Sequence, residues 1–579
     1  VARDALTGAV DEIDMVILMS TGDLRNSLNV GNSGQKGDWG DDKDTIRAFA
    51  YEARDLWDKI VRSTAGGVLG RILAELVDAT LRAAYERRRS GSLTFHDLLV
   101  IAHDLLSDPS AGPAVRAALH ERYRYVLLDE FQDTDPVQLK WALLLTDPDA
   151  TPDAELDGFS PVPGSLFLVG DPKQSIYRFR GADIRNILEF ERTFPDATVV
   201  VLDQNYRSSQ TILDAANAVI TRNPGRQPKH LWTDAGPGDR IVRYRADDEV
   251  DEARWVVGRL RSLHGEGRRW SDMAVFYRTN AQSRAVEEQM VNLGVPYRVV
   301  GGTRFYDRRE VKDALAYLRA AVNRSDEVSL KRVLNVPKRG VGDSSVARLD
   351  QYASAHGVPF REALSNWPEA GISGTAKKGL ANFTELIDQL SQRVSDGPAE
   401  LLQTALERSG YLEELRDERS IEAEGRLENL AELIGSAEPY KTCDEFLEQV
   451  SLVSPTDELD DQSEVTLMTL HTAKGLEFPL VFIVVIEDGI FPSFMSLGDP
   501  DQLEEERRLA YVGITRAEEQ LYLTLAESRW IYGQQQYNTP SRFLKEIPDQ
   551  LVDDRSPKGI QRTGRTSVSY THLRAHETA

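Results

Sequence analysis

The stretch "RYRYVLLDEFQDTDPVQL", residues 122–139, sets an apolar run directly before a group of carboxylates. The run at residues 125–128 has the length and composition of a short buried strand. After it come Asp129, Glu130 and then Asp133. A hard cation such as Mg²⁺ prefers oxygen ligands and needs only one or two carboxylates when it also binds substrate phosphates. We therefore predict that Asp129 holds a divalent cation and that Glu130 orients and deprotonates an attacking water, although a solvated turn would show the same short pattern.

Two more stretches repeat the pattern of an apolar run that ends at Asp. They are "SLFLVGD" at 165–171 and "ATVVVLDQN" at 197–205, and helical patterns fill the intervals at 135–145 and 184–194. An alternation of strand and helix predicts a parallel sheet, in which binding sites form at the carboxyl ends of the strands. Further strands are predicted at 273–279, 464–472, 479–488 and 520–528. Residues 325–462 have instead a helical pattern, so the predicted fold class is α/β with an inserted all-α part.

The bulk composition limits the class of protein. At 579 residues the chain is long enough for about three to four domains. It has no run of about 18 apolar residues, no signal-peptide pattern and a single cysteine, Cys443. We therefore expect a cytoplasmic protein without a membrane span, a disulfide or a cysteine-rich zinc site. The net charge of −24 argues against a protein that coats nucleic acid by bulk electrostatics, but basic stretches at 297–312 and 331–342 leave room for local contacts.

The stretch "LFLVGDPKQSIYRFRGAD", residues 166–183, combines an amide, aromatic rings and arginines. Gln174 offers an amide that can sense a phosphate or an attacking water. Tyr177 and Phe179 can stack on bases while Arg180 contacts the backbone, which is how proteins grip single-stranded nucleic acid. The same alternation is typical of an amphipathic core edge, so these residues alone leave both interpretations open.

Three later stretches supply cations that could reach a phosphate. They are "VLDQNYRSSQTIL" with Arg207, "TLHTAKGLEF" with Lys474, and "EEERRLAYVGITRA" with Arg516. An arginine presented from a neighbouring domain can stabilise the charge on a transferring γ-phosphate. A single arginine or lysine is more often a solvated surface residue, so only the combination indicates a nucleotide site.

In this order the stretches resemble the helicase motifs of superfamily 1, in the UvrD/Rep/PcrA family. "DEFQD" resembles the second motif, "VGDPKQSIYRFRGAD" the third, "LDQNYRS" the fourth, "TLHTAKGLEF" the fifth and "EEERRLAYVGITRA" the sixth. The resemblance covers roughly residues 93–545. Its third-motif region is closer to the RecB/AddA branch, which raises the hypothesis that two genes are joined here. The resemblance implies RecA-like P-loop NTPase motor domains with parallel sheets, plus inserted all-α accessory subdomains.

The resemblance also implies domain boundaries. They are a helical accessory subdomain at 1–92, the C-terminal part of the first RecA-like domain at 93–202, the two parts of the second RecA-like domain at 203–324 and 463–546, an inserted helical duplex-contacting subdomain at 325–462, and a disordered tail at 547–579. The tail ends in "SVSYTHLRAHET", residues 567–578, which looks like a translated sequencing adapter.

Residue roles follow from the same resemblance, motif by motif. Metal binding is implied for Asp129. Catalysis is implied for Glu130, Gln174, Arg207 and Arg516. Nucleotide binding is implied for Tyr206, Lys474, Gly475 and Glu477. Contacts with single-stranded DNA are implied for Tyr177, Phe179, Arg180 and His471. "NVPKRGVG", residues 335–342, resembles a duplex-contacting glycine motif, which implies DNA contacts by Lys338, Arg339, Gly340 and Gly342.

The function implied is an ATP-dependent 3′–5′ DNA helicase or translocase of repair or recombination, with ATP and Mg²⁺ as cofactors. Its partners would be single-stranded DNA and junctions with duplex, and the sequence does not indicate protein partners. Two alternatives stay open: the motor portion of a RecB/AddA-like helicase–nuclease, and a non-catalytic DNA-binding scaffold. Too few residues follow the sixth motif for the nuclease domain of the first alternative, and the intact Asp129 and Glu130 argue against the second.

One expected part of a nucleotide site is missing from the sequence. No stretch matches G-x-x-x-x-G-K-[ST], the loop whose backbone amides and lysine cradle the phosphates of ATP. In the family this loop precedes the second motif by roughly two hundred residues, whereas only 128 residues precede Asp129. We therefore expect a chain truncated at its N-terminus that hydrolyses ATP poorly or not at all.

Overall fold

A computed structural model describes most of the chain. The described residues are 82–557, apart from 84, 88, 148, 150–157, 225–229, 324, 375, 454–463, 532 and 533. The accessory subdomain expected at 1–92 and the end of the expected tail therefore lie almost wholly outside the described residues. Within the described ranges no helix is long and apolar enough to cross a membrane.

Helices are numbered here from Phe95 onward. They are α1 Phe95–Ser107, α2 Gly112–Arg122, α3 Pro136–Thr146, α4 Arg185–Leu188, α5 Phe190–Thr193, α6 Gln210–Ile220, α7 Glu249–Gly265, α8 Ser283–Asn292, α9 Arg309–Val322, α10 Glu327–Val333, α11 Asp343–His356, α12 Phe360–Ser365, α13 Ala376–Gln392, α14 Pro398–Arg408, α15 Tyr411–Glu418, α16 Ile421–Ala437, α17 Cys443–Val453, α18 Pro500–Ile514 and α19 Arg542–Glu546.

The strands fall into three sheets. They are β1 Val126–Leu128, β2 Leu166–Leu168, β3 Ile241–Ala246, β4 Met273–Tyr277, β5 Tyr297–Val299, β6 Val465–Thr469, β7 Phe478–Ile483, β8 Ala517–Ala526, β9 Arg529–Ile531, β10 Gln534–Gln536 and β11 Val552–Asp554. Strands β1 and β2 pair with each other, and β9 pairs antiparallel with β10. The other seven strands form the main sheet.

The main sheet has the order β11-β3-β8-β7-β4-β6-β5, and all of its neighbouring strands are parallel. Every residue of the central strand β4 is buried, as expected for a parallel sheet that is covered on both faces. Apolar residues of α6 and α18 pack on one face, and those of α7 and α8 pack on the other. The described chain is therefore α/β, as predicted.

In chain order, an all-α region follows strand β5 and precedes strand β6 of the main sheet. Its apolar core takes side chains from helices α9 to α17 and is continuous from Phe305 to Val450. The first of these helices begins at Arg309, whereas the sequence led us to expect the helical part from residue 325. Ten residues of α9 are buried, which explains why its first turns belong to this core and not to a loop of the sheet. The domain boundaries drawn from the sequence stay predictions.

The expected strand at residues 197–205 is not formed. Residues 199–202 belong to no strand or helix, and Val200 is 74% exposed. Strands β1 and β2 do form, but each has only three residues, and the central residues Leu127 and Phe167 are exposed. An apolar run becomes a buried strand only where neighbouring strands and covering helices are available, and the described residues supply few of these near β1 and β2.

The described residues divide into two compact units. One contains the residues up to 126 together with 140–165, and the other contains 127–139 and everything from 166 onward. In the first unit, Thr94 caps α1 in a capping box with Asp97, and Arg87 pairs with the same carboxylate. These hydrogen bonds hold the pKa of Asp97 well below its usual range. The residues for which we expect functional roles all lie in the second unit.

Candidate nucleotide and nucleic-acid sites

Lys474 is the buried centre of a charged cluster at the end of strand β1. Its ammonium contacts the carboxylate of Asp133, lies 3.1 Å from Glu130 Oε2, and donates a 2.9 Å hydrogen bond to the Gln174 carbonyl. Only 5% of the Lys474 side chain is exposed. Burial raises the pKa of Asp133 above its ordinary value, although the adjacent ammonium opposes that shift. The fifth-motif loop is therefore joined directly to both earlier motifs.

Glu130 has a left-handed backbone conformation, and its carboxylate accepts a hydrogen bond from Gln132. Its φ of 53° lies in the left-handed region, which a residue with a Cβ seldom adopts outside functional sites and special turns. Gln132 is fully buried; its amide donates to Glu130 Oε2 at 2.5 Å, and its carbonyl oxygen accepts from the Asp171 backbone N–H at 2.9 Å. A Cβ on Gly170 would lie 2.7 Å from that oxygen, so the glycine leaves the space that Gln132 occupies.

Gln174 follows strand β2 and points its side chain at its own loop. The Gln174 amide donates to Asp171 Oδ2 at 3.1 Å, and Asp171 also caps the short 3₁₀ helix Pro172–Gln174. The neighbouring Ser175 carbonyl accepts a 2.8 Å hydrogen bond from Arg508 Nε. This loop is thus held by two cations, Lys474 and Arg508, that come from later motifs.

Arg207, Glu477 and Arg516 form a second cluster on the other side of the fifth-motif loop. Arg207 Nε donates to Glu477 Oε2 at 2.6 Å. Arg516 is buried and donates to the carbonyls of Val512 and Leu476, each at 3.1 Å. Burial lowers the pKa of Arg516 to about 10, and the positive charge of Arg207 adds to this effect. Both guanidiniums are positioned by protein oxygens, as a preorganised anion site requires.

Gly475 and Tyr206 take conformations consistent with roles at a nucleotide. Gly475 has a φ of +83°, so the turn between Lys474 and Glu477 requires a residue that tolerates the left-handed region. Tyr206 is 84% exposed, and its hydroxyl donates to Gln204 at 3.0 Å. An exposed ring held at one end is available for stacking, and the adenine contact stays a prediction.

Tyr177, Phe179 and His471 form an aromatic cluster beside these sites. The Phe179 and His471 rings meet edge to face at 5.5 Å, and the Tyr177 and Phe179 ring centroids are 6.0 Å apart. Arg180 lies over both the Tyr177 and Phe179 rings. The Tyr177 hydroxyl donates to the His471 carbonyl, while Phe179 is 46% exposed. We call Tyr177, Phe179, Arg180 and His471 the aromatic strip, and it has the stacking surface and charge that single strands require.

His471 is neutral within this strip at physiological pH. Burial lowers the pKa of its imidazole to about 3, and the positive charges of Arg278 and Arg180 act in the same direction. His471 can therefore contribute a ring face or a neutral hydrogen-bonding group, but not a cation for a phosphate.

Three of the four residues expected to contact DNA in the glycine motif at 335–342 are exposed. Lys338, Gly340 and Gly342 are exposed, and Gly342 is the N-cap of α11. The guanidinium of Arg339 points inward, where it donates to the Tyr317 hydroxyl at 2.6 Å and to backbone carbonyls of Val333 and its neighbours. Those protein acceptors hold the side chain against the loop, and a contact between Arg339 and DNA stays a prediction.

The structure thus brings together Glu130, Gln174 and Lys474 in one cluster, and Arg207, Glu477 and Arg516 in a second, while Asp129 meets the first cluster at the backbone of Glu130. Asp129 is exposed at the end of β1, and its Oδ1 accepts from the Glu130 N–H at 2.9 Å. No group of three or more His, Cys, Asp or Glu is arranged to hold a metal among the described residues. Carboxylate oxygen suits Mg²⁺, so a cation at Asp129 would complete its shell with phosphate oxygens and water.

Two known protein families match the sequence. Residues 200–528 match the UvrD-like helicase C-terminal domain, and residues 68–195 match the UvrD/REP helicase N-terminal domain. The first match alone covers more than half of the chain. The chain belongs to the UvrD/Rep/PcrA family of helicases.

Several relatives of this UvrD-like chain are bacterial proteins that are named ATP-dependent DNA helicases. UvrD1 of Mycobacterium tuberculosis is 45% identical over 513 residues, which cover 84% of this chain and 65% of the relative. PcrA of Bacillus subtilis is 41% identical over 511 residues, which cover 85% of this chain and 66% of the relative. The chain therefore spans slightly less than two thirds of the length of the relatives it matches.

Sequence reasoning about this UvrD-like chain missed two residues of the first cluster. Gln132 and Asp133 both lie within the quoted "DEFQD" string, but neither received a role beyond the pattern itself. The buried amide of Gln132 bridges two motifs, and Asp133 is the closest partner of Lys474. The signal that could have found them is a polar residue that lies inside a specific motif and shortly follows an apolar run.

Proposed function

We propose that the protein to which this sequence belongs is an ATP-dependent DNA helicase with 3′–5′ polarity. It acts in the cytoplasm on single-stranded DNA and on junctions with duplex, in DNA repair or recombination. ATP and Mg²⁺ are its cofactors. In this proposal Asp129 binds the cation, Glu130 activates the attacking water, and Arg207 and Arg516 contact the γ-phosphate.

The observation that carries this proposal is the position of the fifth-motif loop, residues 471–477. At its start, His471 contributes to the aromatic strip. Lys474 binds the carboxylates beside strand β1, and the loop ends at Glu477, which binds Arg207. One loop of seven residues therefore touches the proposed DNA contacts and both charged clusters. A change at the nucleotide has a short covalent path to the DNA contacts, which a motor requires.

We further propose that the chain of 579 residues hydrolyses ATP poorly by itself. Lys474 and the arginines can neutralise phosphate charge, but no stretch in the sequence supplies the glycine-rich loop and lysine that cradle a triphosphate. The carboxylates and arginines that act on the γ-phosphate are present without that cradle.

The test is ATP turnover by this chain with and without single-stranded DNA, beside the Glu130→Gln variant. We expect turnover at the background level in all four reactions. DNA-stimulated turnover that Glu130→Gln abolishes would refute the proposed inactivity and would support the assignment of Glu130 as the base. ATP turnover above background that is equal in the wild type and in Glu130→Gln would contradict that assignment.

A further inference from the structure

Arg278 directly follows the central strand β4 and lies beside the aromatic strip. Strand β4 pairs in parallel with β6, and the Leu470 N–H just after β6 donates to the Tyr277 carbonyl at 2.8 Å. The residue that follows Tyr277 is Arg278, and the residue that follows Leu470 is His471. The ends of the two strands therefore place the backbone of Arg278 beside that of His471.

The side chain of Arg278 is held by Glu506 of helix α18. Arg278 Nε donates to Glu506 Oε1 at 3.0 Å, and Nη2 donates to the same oxygen at 2.7 Å. The Glu506 carboxylate is almost fully buried, and its Oε2 also accepts from the Ser493 N–H at 3.3 Å. A guanidinium bound through two of its nitrogens has a fixed orientation. Helix α18, which carries the sixth motif, therefore positions this cation.

Carboxylates from two elements act on the charge of Arg278. Glu428 of helix α16 accepts a hydrogen bond from Thr279, the residue after Arg278. Burial lowers the pKa of Arg278, but the charges of Glu506, Glu428 and Glu505 together raise it above its ordinary value. Because three carboxylates act on one guanidinium, a DNA phosphate at this position would meet an excess of negative charge. Arg278 is therefore better suited to orient protein groups than to bind DNA directly.

The charge of Arg278 reaches the imidazole of His471. Burial is the main cause of the low pKa of His471, and the charges of Arg278 and Arg180 lower it further. Of these two cations, Arg180 belongs to the aromatic strip and Arg278 lies outside it. A neutral ring can stay buried against Phe179, whereas a protonated ring would have to be solvated or paired.

We propose that Arg278 is a positioning residue of the aromatic strip, which joins His471 to helix α18 through Glu506. The contact with Glu506 fixes the end of strand β4. The hydrogen bond between Tyr277 and Leu470 passes that position to the start of the fifth-motif loop, where the His471 ring contributes to the stacking surface. The proposal rests on the proposed function, since it concerns how the strip binds single-stranded DNA.

Protonation of the His471 ring tests the link without DNA. In the wild type the pKa of about 3 keeps this ring neutral at about pH 5, where histidine NMR signals are recorded. Removing the like charge in Arg278→Gln should raise that pKa by about one to two pH units, so the ring becomes partly protonated. The spectrum of His471→Phe identifies the signal.

A double variant separates this effect from that of an unpaired carboxylate. Arg278→Gln/Glu506→Gln removes both charges of the pair, so a raised pKa of His471 in this variant cannot come from Glu506. We expect partial protonation of His471 at about pH 5 in the double variant too. A neutral ring in both variants would overturn the proposal.

Binding of a labelled single-stranded oligonucleotide at about pH 7 tests the consequence for the strip. We expect Arg278→Gln to weaken binding about fivefold or more, which is the smaller end of the cost of losing one stacked ring. Arg243→Gln is the matched control, because Arg243 also pairs with a carboxylate, that of Asp554, across strands of the main sheet. The Arg243 side chain is 29% exposed, against 24% for Arg278. This control should bind DNA and titrate as the wild type does.

A conservative variant separates position from charge. Arg278→Lys keeps the cation but cannot pair through two nitrogens, so it should keep His471 neutral at about pH 5 and still weaken binding. It also carries the binding test if Arg278→Gln does not fold. Unchanged affinity in the Arg278 variants, or an equal loss in Arg243→Gln, would overturn the proposal. If the wild type binds no single-stranded DNA, the proposed function fails, and the protonation of His471 alone decides whether Arg278 acts on it.

Discussion

Lys474 carries a buried charge whose partners come from the distant third- and second-motif segments. Asp133 lies 341 residues earlier in the chain, and Gln174 lies 300 residues earlier. The ammonium contacts two carboxylates and is itself almost fully buried. A buried ion pair adds little net stability, but removing one member leaves an uncompensated charge.

We predict that Lys474→Met lowers the free energy of unfolding by about 3 kcal/mol, because Asp133 then stays buried without its partner. Adding Asp133→Asn to that variant should recover most of the loss, since the uncompensated charge is removed. Urea unfolding followed by circular dichroism measures both. Strictly additive effects of the two substitutions would show that the contact has no energetic importance.

At His471 the structure predicts a dependence of stability on pH. The imidazole has a pKa of about 3 in the folded protein, against an ordinary value of 6.5. Below about pH 6.5 the unfolded chain therefore binds a proton that the folded protein does not, so stability falls as the pH falls toward 3. His471→Phe keeps an aromatic ring and should lose less stability between about pH 7 and about pH 5 than the wild type. Unfolding curves of both proteins at these two pH values test the prediction. Equal losses of stability in the wild type and in His471→Phe would contradict it.

Among the elements, the packing of α13 on the glycine motif at 335–342 depends on the absence of a side chain at Gly379. A Cβ there would overlap the Arg339 carbonyl oxygen, which is backbone and cannot rotate away. We predict that Gly379→Ala destabilises the protein by about 1–3 kcal/mol because the loop must shift. Thermal unfolding of the purified variant measures the change.

Gly425 is the matched control for that substitution. It lies in helix α16 of the same all-α region, and nothing lies within 4 Å of a Cβ built there. Gly425→Ala should be stabilising by about 0.5–1 kcal/mol, since alanine is the better helix former. If both variants melted like the wild type, the close approach at Gly379 would not be real.

The sequence predicted β1, β2 and four strands of the main sheet correctly. The runs that became β4 and β7 are almost continuously apolar, and those that became β6 and β8 are mostly apolar, because parallel strands are buried on both faces. The prediction missed β3, where Arg243 and Arg245 alternate with apolar residues and interrupt the run. It wrongly predicted a strand at 197–205, since an apolar run does not reveal whether partner strands are present.

For the whole molecule, the sequence indicated most members of each cluster but not their pairing. The motif strings named Glu130, Lys474 and Arg516 as functional residues, because a family resemblance carries residue identities. The direct contacts of Lys474 with Asp133 and of Arg207 with Glu477 depend on how segments separated by hundreds of residues meet, which spacing does not encode. The inward orientation of Arg339 also follows from its hydrogen bond to Tyr317. The string "PKRG" alone gives no indication of that contact.

We propose that the aromatic strip grips single-stranded DNA. Fluorescence anisotropy with a labelled oligonucleotide tests it most directly, using the wild type, Phe179→Ala, and Tyr123→Ala as a control that removes an exposed ring elsewhere. Stacking on one aromatic ring is worth about 1–3 kcal/mol, so we predict that Phe179→Ala weakens binding roughly ten- to a hundredfold while Tyr123→Ala binds as the wild type does. Equal affinities for wild type and Phe179→Ala, or no binding by the wild type, would contradict the account.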